Sequence, residues 1–121
     1  MAAGKRELDA PVVEEVVKVL EHASRVPGMW LGNVTLAGSV HFLTGFTAGL
    51  GAAFDMRRLS ECRAKVAEVR GYMTPFHSVL ELTDQIHDRY PEESEAVIER
   101  FTVEFEAWKL LQSSTETLNQ S

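Results

Sequence analysis

From Val26 to Phe54 the chain contains no Asp, Glu, Lys or Arg. The residues on either side are strongly charged, and 25% of the whole chain is Asp, Glu, Lys or Arg. His41 is the one side chain in the uncharged stretch that titrates near neutral pH. From Leu36 onward the stretch follows helical spacing: Leu36, Val40, Leu43, Thr47, Leu50 and Phe54 recur at intervals of three and four. Phe42, Phe46, Gly49 and Ala53 form a second stripe, and Gly38, Gly45, Gly49 and Ala52 a narrow third one. A helix that is apolar nearly all round is expected to be buried, so 36–54 is expected to form the centre of the fold. Each glycine inside a helix costs roughly 0.5–1 kcal/mol relative to alanine, so several need a compensating close approach. That approach can come from a neighbouring helix, or from a second copy meeting the Gly38/Gly45/Gly49 face in a homodimer.

Length and composition limit the alternatives. A chain of 121 residues fits one domain with one core. The uncharged helix is long enough to suggest a membrane span, but four glycines, two threonines, Ser39 and His41 dilute it, so a core helix is expected. The formal net charge is −6. An acidic surface is repelled by phosphate backbones, so no nucleic-acid partner is expected. Arg57, Arg58, Arg63, Lys65 and Arg70 are the candidates for a local basic patch. Cys62 is the one cysteine, so no intrachain disulfide can form, which suits a reducing, cytoplasmic location. No signal-peptide pattern is visible at the N-terminus.

The charged segments read as amphipathic helices. Asp9 and Pro11 mark the start of a first helix, over about 11–23, with Val12, Val16, Val19, Leu20 and Ala23 inward. Thr35 is a candidate cap for the uncharged helix. Leu59, Cys62, Val66 and Val69 predict a third helix over 56–70, stopped by Gly71. Thr74-Pro75 opens a fourth, with Phe76, Val79, Leu80, Thr83 and Ile86 inward, which ends before Pro91. Glu92, Glu93 and Glu95 open a fifth, where the helix dipole favours acids, with Val97, Ile98, Phe101, Phe105, Trp108 and Leu111 inward. Residues 1–8 and 113–121 carry no periodic apolar signal and are expected to be mobile ends of the domain. The prediction is an all-α, single-domain bundle of about five helices, with 36–54 at its centre.

Candidate chemistry is sparse. No Walker loop, Cys-x-x-Cys, dinucleotide fingerprint or nucleophile elbow is present. His77, Glu81, Asp84 and His87 lie at offsets of four, three and three on one helical face. A single-metal site there would need a further ligand from elsewhere, and a solvated charged face accounts for the same pattern. No cofactor is implied. If His41 is buried, it needs a hydrogen-bond partner. The loop before the uncharged helix holds Arg25, Pro27, Gly28, Met29, Trp30 and Gly32. It sets large apolar side chains where surface residues are usual, so it either plugs the bundle or contacts a partner.

That loop resembles a short Arg-Pro-Gly-Met-Tyr-Ile-Gly string of type II topoisomerase ATPase domains. Such domains need a longer α/β fold and a carboxylate-bearing helix, both missing here. Pro27-Gly28-Met29-Trp30-Leu31-Gly32, His41-Phe42-Leu43-Thr44-Gly45-Phe46 and the aromatic, acidic helix 92–108 together resemble a set of small bacterial proteins, mostly without an assigned role. Those proteins carry an Arg-Pro-x-Met-aromatic-aliphatic-Gly loop followed by a His-Phe-Leu-x-Gly-aromatic helix; here Val26 separates Arg25 from Pro27. Some are immunity-protein-like. The resemblance implies a protein that neutralises a toxin by binding it, and the acidic surface, the apolar loop and the lack of a catalytic set point to binding with no catalysis of its own. The alternative expectation is a small-ligand or metal-binding protein, or an enzyme, that uses the His77/Glu81/Asp84/His87 face.

Overall fold

In the computed structural model the described residues are 5–25, 35–74 and 79–120, apart from the side chains of 36, 79–80 and 115–120. They form an all-α, single-domain bundle of five helices: α1 Ala10–Arg25, α2 Leu36–Gly51, α3 Arg57–Val69, α4 Val79–Arg89 and α5 Glu93–Gln120. Two short strands, β1 Arg6–Glu7 and β2 Phe54–Asp55, pair in parallel with Arg6 opposite Phe54. A parallel pair needs a long crossover, which α1 and α2 supply. Arg6 and Glu7 lie within the stretch expected to be a mobile arm, but here they are hydrogen-bonded, and the next residue, Leu8, is buried. The Arg6 guanidinium lies 5.1 Å from the Phe54 ring centre. No helix of the described residues is long and apolar enough to cross a membrane.

The helix ends are set by local chemistry. Asp9 Oδ1 accepts from the Val12 N–H at 3.2 Å, and Thr35 Oγ1 accepts from the Gly38 N–H at 2.9 Å. Both satisfy a donor that the first helical turn leaves unpaired. α3 ends at Gly71, whose φ is +88°. There the Gly71 N–H reaches the Glu68 carbonyl at 3.0 Å, and the Tyr72 N–H reaches the Ala67 carbonyl at 2.9 Å. This is the paired C-terminal pattern that glycine allows.

The expected central helix is not the observed one. α5 packs against each of the other four helices, and Ala96, Val97, Phe101, Val103, Ala107 and Trp108 along it are buried. α2 lies at the edge instead. It buries Ser39 and Leu43, while Ala37, His41, Thr44, Gly45, Ala48 and Gly49 are exposed. The central position of 36–54 is therefore corrected. Apolarity all round shows that a helix lacks a charged face, but does not show what covers it. The helix also stops at Gly51, and Phe54 belongs to β2.

One further face differs from the expected one, that of α3, whereas Thr83 and Ile86 of α4 are buried as expected. In α3 the buried residues are Leu59, Arg63 and Ala67, while Val69 is 87% exposed. The helix is turned by about one residue because Arg63 has a buried partner on α5. The buried residues of α4 include Leu82, Thr83 and Ile86. Where α3 ends, Arg70 donates to Glu99 at 2.6 Å and to Glu106 at 3.0 Å, and the Tyr72 hydroxyl donates to Glu99 at 2.6 Å. Burial works against the Glu99 charge, but Arg70 and Tyr72 hold its carboxyl below the usual range. Arg89 of α4 donates to the Arg70 and Gly71 carbonyls and stacks 4.0 Å from the Tyr72 ring centre. This cluster ties the ends of α3 and α4 to the middle of α5.

Gly71 is thus the position where a side chain is least tolerated. Gly71→Ala forces a left-handed conformation on an L-residue, and is expected to destabilise the chain by about 1–2 kcal/mol in urea unfolding. The new methyl would also meet an Arg89 Nη2 that now lies 3.4 Å away.

Candidate functional site

The site begins with a helix that has no charge to show to water. The exposed residues of α2 (Ala37, His41, Thr44, Gly45, Ala48 and Gly49) form one uncharged ridge, mostly of small side chains. Three cavities border this helix. On one side an apolar groove of about 490 Å³ runs between Phe46 and Leu50 of α2 and Val12, Val16 and Val19 of α1. On the other side a groove of about 370 Å³ brings His41 beside Thr83, Asp84 and His87 of α4 and Glu93 of α5. Next to it, Leu43, Thr44, Thr47 and Ala48 enclose about 250 Å³ with Arg63 of α3 and Arg100 of α5.

Arg63 and Arg100 belong to a buried ion triad. Glu104, 1% exposed, accepts from Arg63 Nε at 2.9 Å and Nη2 at 2.7 Å, a two-pronged contact. It also accepts from Arg100 Nη1 at 3.1 Å, one helical turn back on α5. Burial alone would raise the Glu104 carboxyl; the Arg100 and Arg63 guanidiniums more than offset that and hold it at about 2. Burial works the other way on Arg100 and lowers its hold on the proton, with Glu104 opposing. Two guanidiniums therefore share one carboxylate. Among the described residues no second carboxylate hydrogen-bonds to either, and Arg100 Nε has no hydrogen-bond partner.

Arg25 is exposed and paired with Glu21 at 2.7 Å at the end of α1. Pro27, Gly28, Met29, Trp30 and Gly32 lie outside the described residues, as does His77. His41 is exposed and needs no buried partner. Glu81, Asp84 and His87 are exposed on α4. Among the described residues no three His, Cys, Asp or Glu side chains converge as metal ligands would. The groove does join His41 to Asp84 and His87, which the sequence left on separate helices. Three of the five candidates for a basic patch are paired with acids: Arg57 with Asp55 at 2.6 Å, Arg63 with Glu104, and Arg70 with Glu99. Cys62 is half-buried, and burial pushes its thiol up.

Sequence reasoning missed Arg63, Arg100 and Glu104. A signal for Glu104 existed. Val97, Phe101, Trp108 and Leu111 step by four, seven and three, and Glu104 fills the gap at Phe101 plus three. A carboxylate on an inward stripe demands a buried cation, and Arg100 stands one turn before it.

The triad makes stability sensitive to acid. The folded-state pKa of Glu104 lies below its ordinary 4.5, so the stability it contributes is complete above that pH and is lost as pH falls towards about 2. Glu99 adds to the loss in the same direction. Glu104→Gln is expected to lower stability at neutral pH by about 3–5 kcal/mol, since it leaves two buried guanidiniums unpaired. It should also flatten the acid limb of a plot of thermal midpoint against pH. Compared with protein-family models, curated proteins and solved structures, the chain matches none.

Proposed function

We propose that this chain is a non-catalytic protein-binding module whose contact surface is the exposed ridge of α2. One observation carries the reading. A Cβ added at Gly45 or Gly49 would meet nothing within 4 Å among the described residues. Among the described residues, the two glycines therefore weaken the helix without admitting any neighbour. A backbone from another chain, seated against the ridge, supplies the missing gain. The ridge has no charge to desolvate, and the apolar groove beside it extends the contact area. The partner is another protein or a second copy. Exposed Glu92, Glu93 and Glu95 at the start of α5, with Glu14 and Glu15 on α1, favour a basic partner. A basic toxin neutralised by binding, as the resemblance to immunity proteins implies, is the narrower form of the same reading.

The glycines give a test with opposite signs. In the isolated chain Gly45→Ala and Gly49→Ala are each expected to stabilise by roughly 0.5–1 kcal/mol in urea unfolding, since each removes chain entropy and the new methyl meets none of the described residues. In the assembly the added methyls hold the partner off, so the same changes weaken association. Light scattering at micromolar concentration identifies a second copy by mass, and Gly45→Arg should return it to 13.5 kDa. If the wild type is already a monomer, a photo-crosslinking residue at position 45 should capture a partner that one at position 95 does not. A monomer that captures nothing at position 45 refutes the reading.

A further inference from the structure

The cavity beside the α2 ridge has a chemistry of its own. Its floor is formed by Arg63 and Arg100, which are 7% and 1% exposed. Their triad with Glu104 carries one more positive than negative charge, and Arg100 Nε has no hydrogen-bond partner among the described residues. An uncompensated guanidinium in low dielectric is costly, and a single anion at hydrogen-bond distance removes most of that cost. Among the described residues that line the cavity none is an acid, and α2 is uncharged along its whole length. The other described residues that line it are Leu43, Ala48 and two threonines, Thr44 and Thr47, each with a methyl and a hydroxyl.

We propose that this cavity binds the carboxylate of a short aliphatic acid, the carboxylate facing Arg100 and Arg63 and the hydrocarbon part lying along Leu43 and Ala48. The charge count selects the class. One negative charge balances the triad, while a phosphate dianion would leave the site with a net negative charge that nothing in it offsets. Thr44 and Thr47 can donate to the second carboxylate oxygen. The cavity of about 250 Å³ corresponds to about eight water volumes, enough for an acid of a few carbons. The same chemistry is available from an acidic side chain of a docked protein, since the cavity opens beside the ridge. The site stands on the triad and the cavity, and does not depend on the docking reading.

The test is a titration of the full chain with butyrate, followed through the backbone amide shifts of Thr44, Thr47 and Ala48 and by calorimetry. Saturable shifts at those three amides are expected. n-Butanol, which has the tail without the charge, and inorganic phosphate, at a pH where it is the dianion, should bind at least about tenfold more weakly, given the worth of a charged hydrogen bond. Arg100→Met removes the surplus charge and should abolish binding. In case that variant fails to fold, Ala48→Leu fills the cavity from an exposed position, leaves the triad untouched, and should weaken butyrate about tenfold or more. N-acetylglutamate N-methylamide separates the two sources: tighter binding of butyrate assigns the site to a free acid, and tighter binding of the capped glutamate assigns it to a protein side chain. Absence of saturable shifts with both carboxylates overturns the proposal. So does equal binding of butanol or phosphate, or an unchanged affinity in Ala48→Leu. None of these outcomes bears on whether position 45 touches a partner.

Discussion

Glu104 is the residue around which the bundle is assembled. It sits on the central helix, 1% exposed, and can remain charged there only because Arg63 and Arg100 reach it. Arg63 comes from α3, so the pair fixes the rotation and height of α3 against α5. The turn of α3 that exposes Val69 and half-exposes Val66 follows from that requirement. Removing a buried carboxylate from two guanidiniums costs far more than moving one valine into water. The Arg70, Glu99 and Tyr72 cluster repeats the device two turns away on α3 and one on α5. Polar pairs therefore set the α3–α5 interface, and the apolar contacts fill in around them.

This arrangement explains what the sequence disclosed and what it concealed. Helix starts and stops depend on residues within one turn of each other, so Asp9, Thr35 and Gly71 could be read directly, and each caps or ends its helix as expected. The all-α class followed from the same local signals. Which helix is central depends on long-range pairing, where polarity is a misleading guide. α5 reads from the sequence as one amphipathic helix among several, because the ion pairs that bury its Glu99, Arg100 and Glu104 join residues as far as 41 positions apart. α2 looked like a core helix because it lacks charge, yet one side of it is exposed. Arg63 was grouped with a basic patch because its neighbours in sequence are basic, whereas its neighbour in space is an acid.

The site was legible only in part. A buried His41 would need a hydrogen-bond partner; it is exposed and lines a groove with Asp84 and His87. The small-residue stripe was visible in the sequence, but its direction was not. A stripe at Gly45 and Gly49 is compatible with a neighbouring helix of the same chain, and only the three-dimensional arrangement shows that no such neighbour is there among the described residues. Thr47 entered only as a position in the helical spacing and Thr44 only within the His41–Phe46 string, since a threonine on a helix carries no sign of the buried arginine behind it.

The two departures from the expected layout are coupled. A bundle whose centre is a charged helix must spend its polar partners inward, on Arg63, Arg70 and Tyr72. The helix left at the edge, α2, has no charged residue with which to form a solvated face. Its ridge is held at the surface by Leu43 and Ser39 beneath it and by half-buried Phe42, whose ring lies 5.9 Å from that of Phe101. An aromatic contact of this kind anchors the helix without covering its outer side. The same placement leaves the one unbalanced charge of the triad beneath α2, the helix least able to neutralise it. Neutral surface and surplus buried cation thus arise from a single choice of which helix occupies the centre.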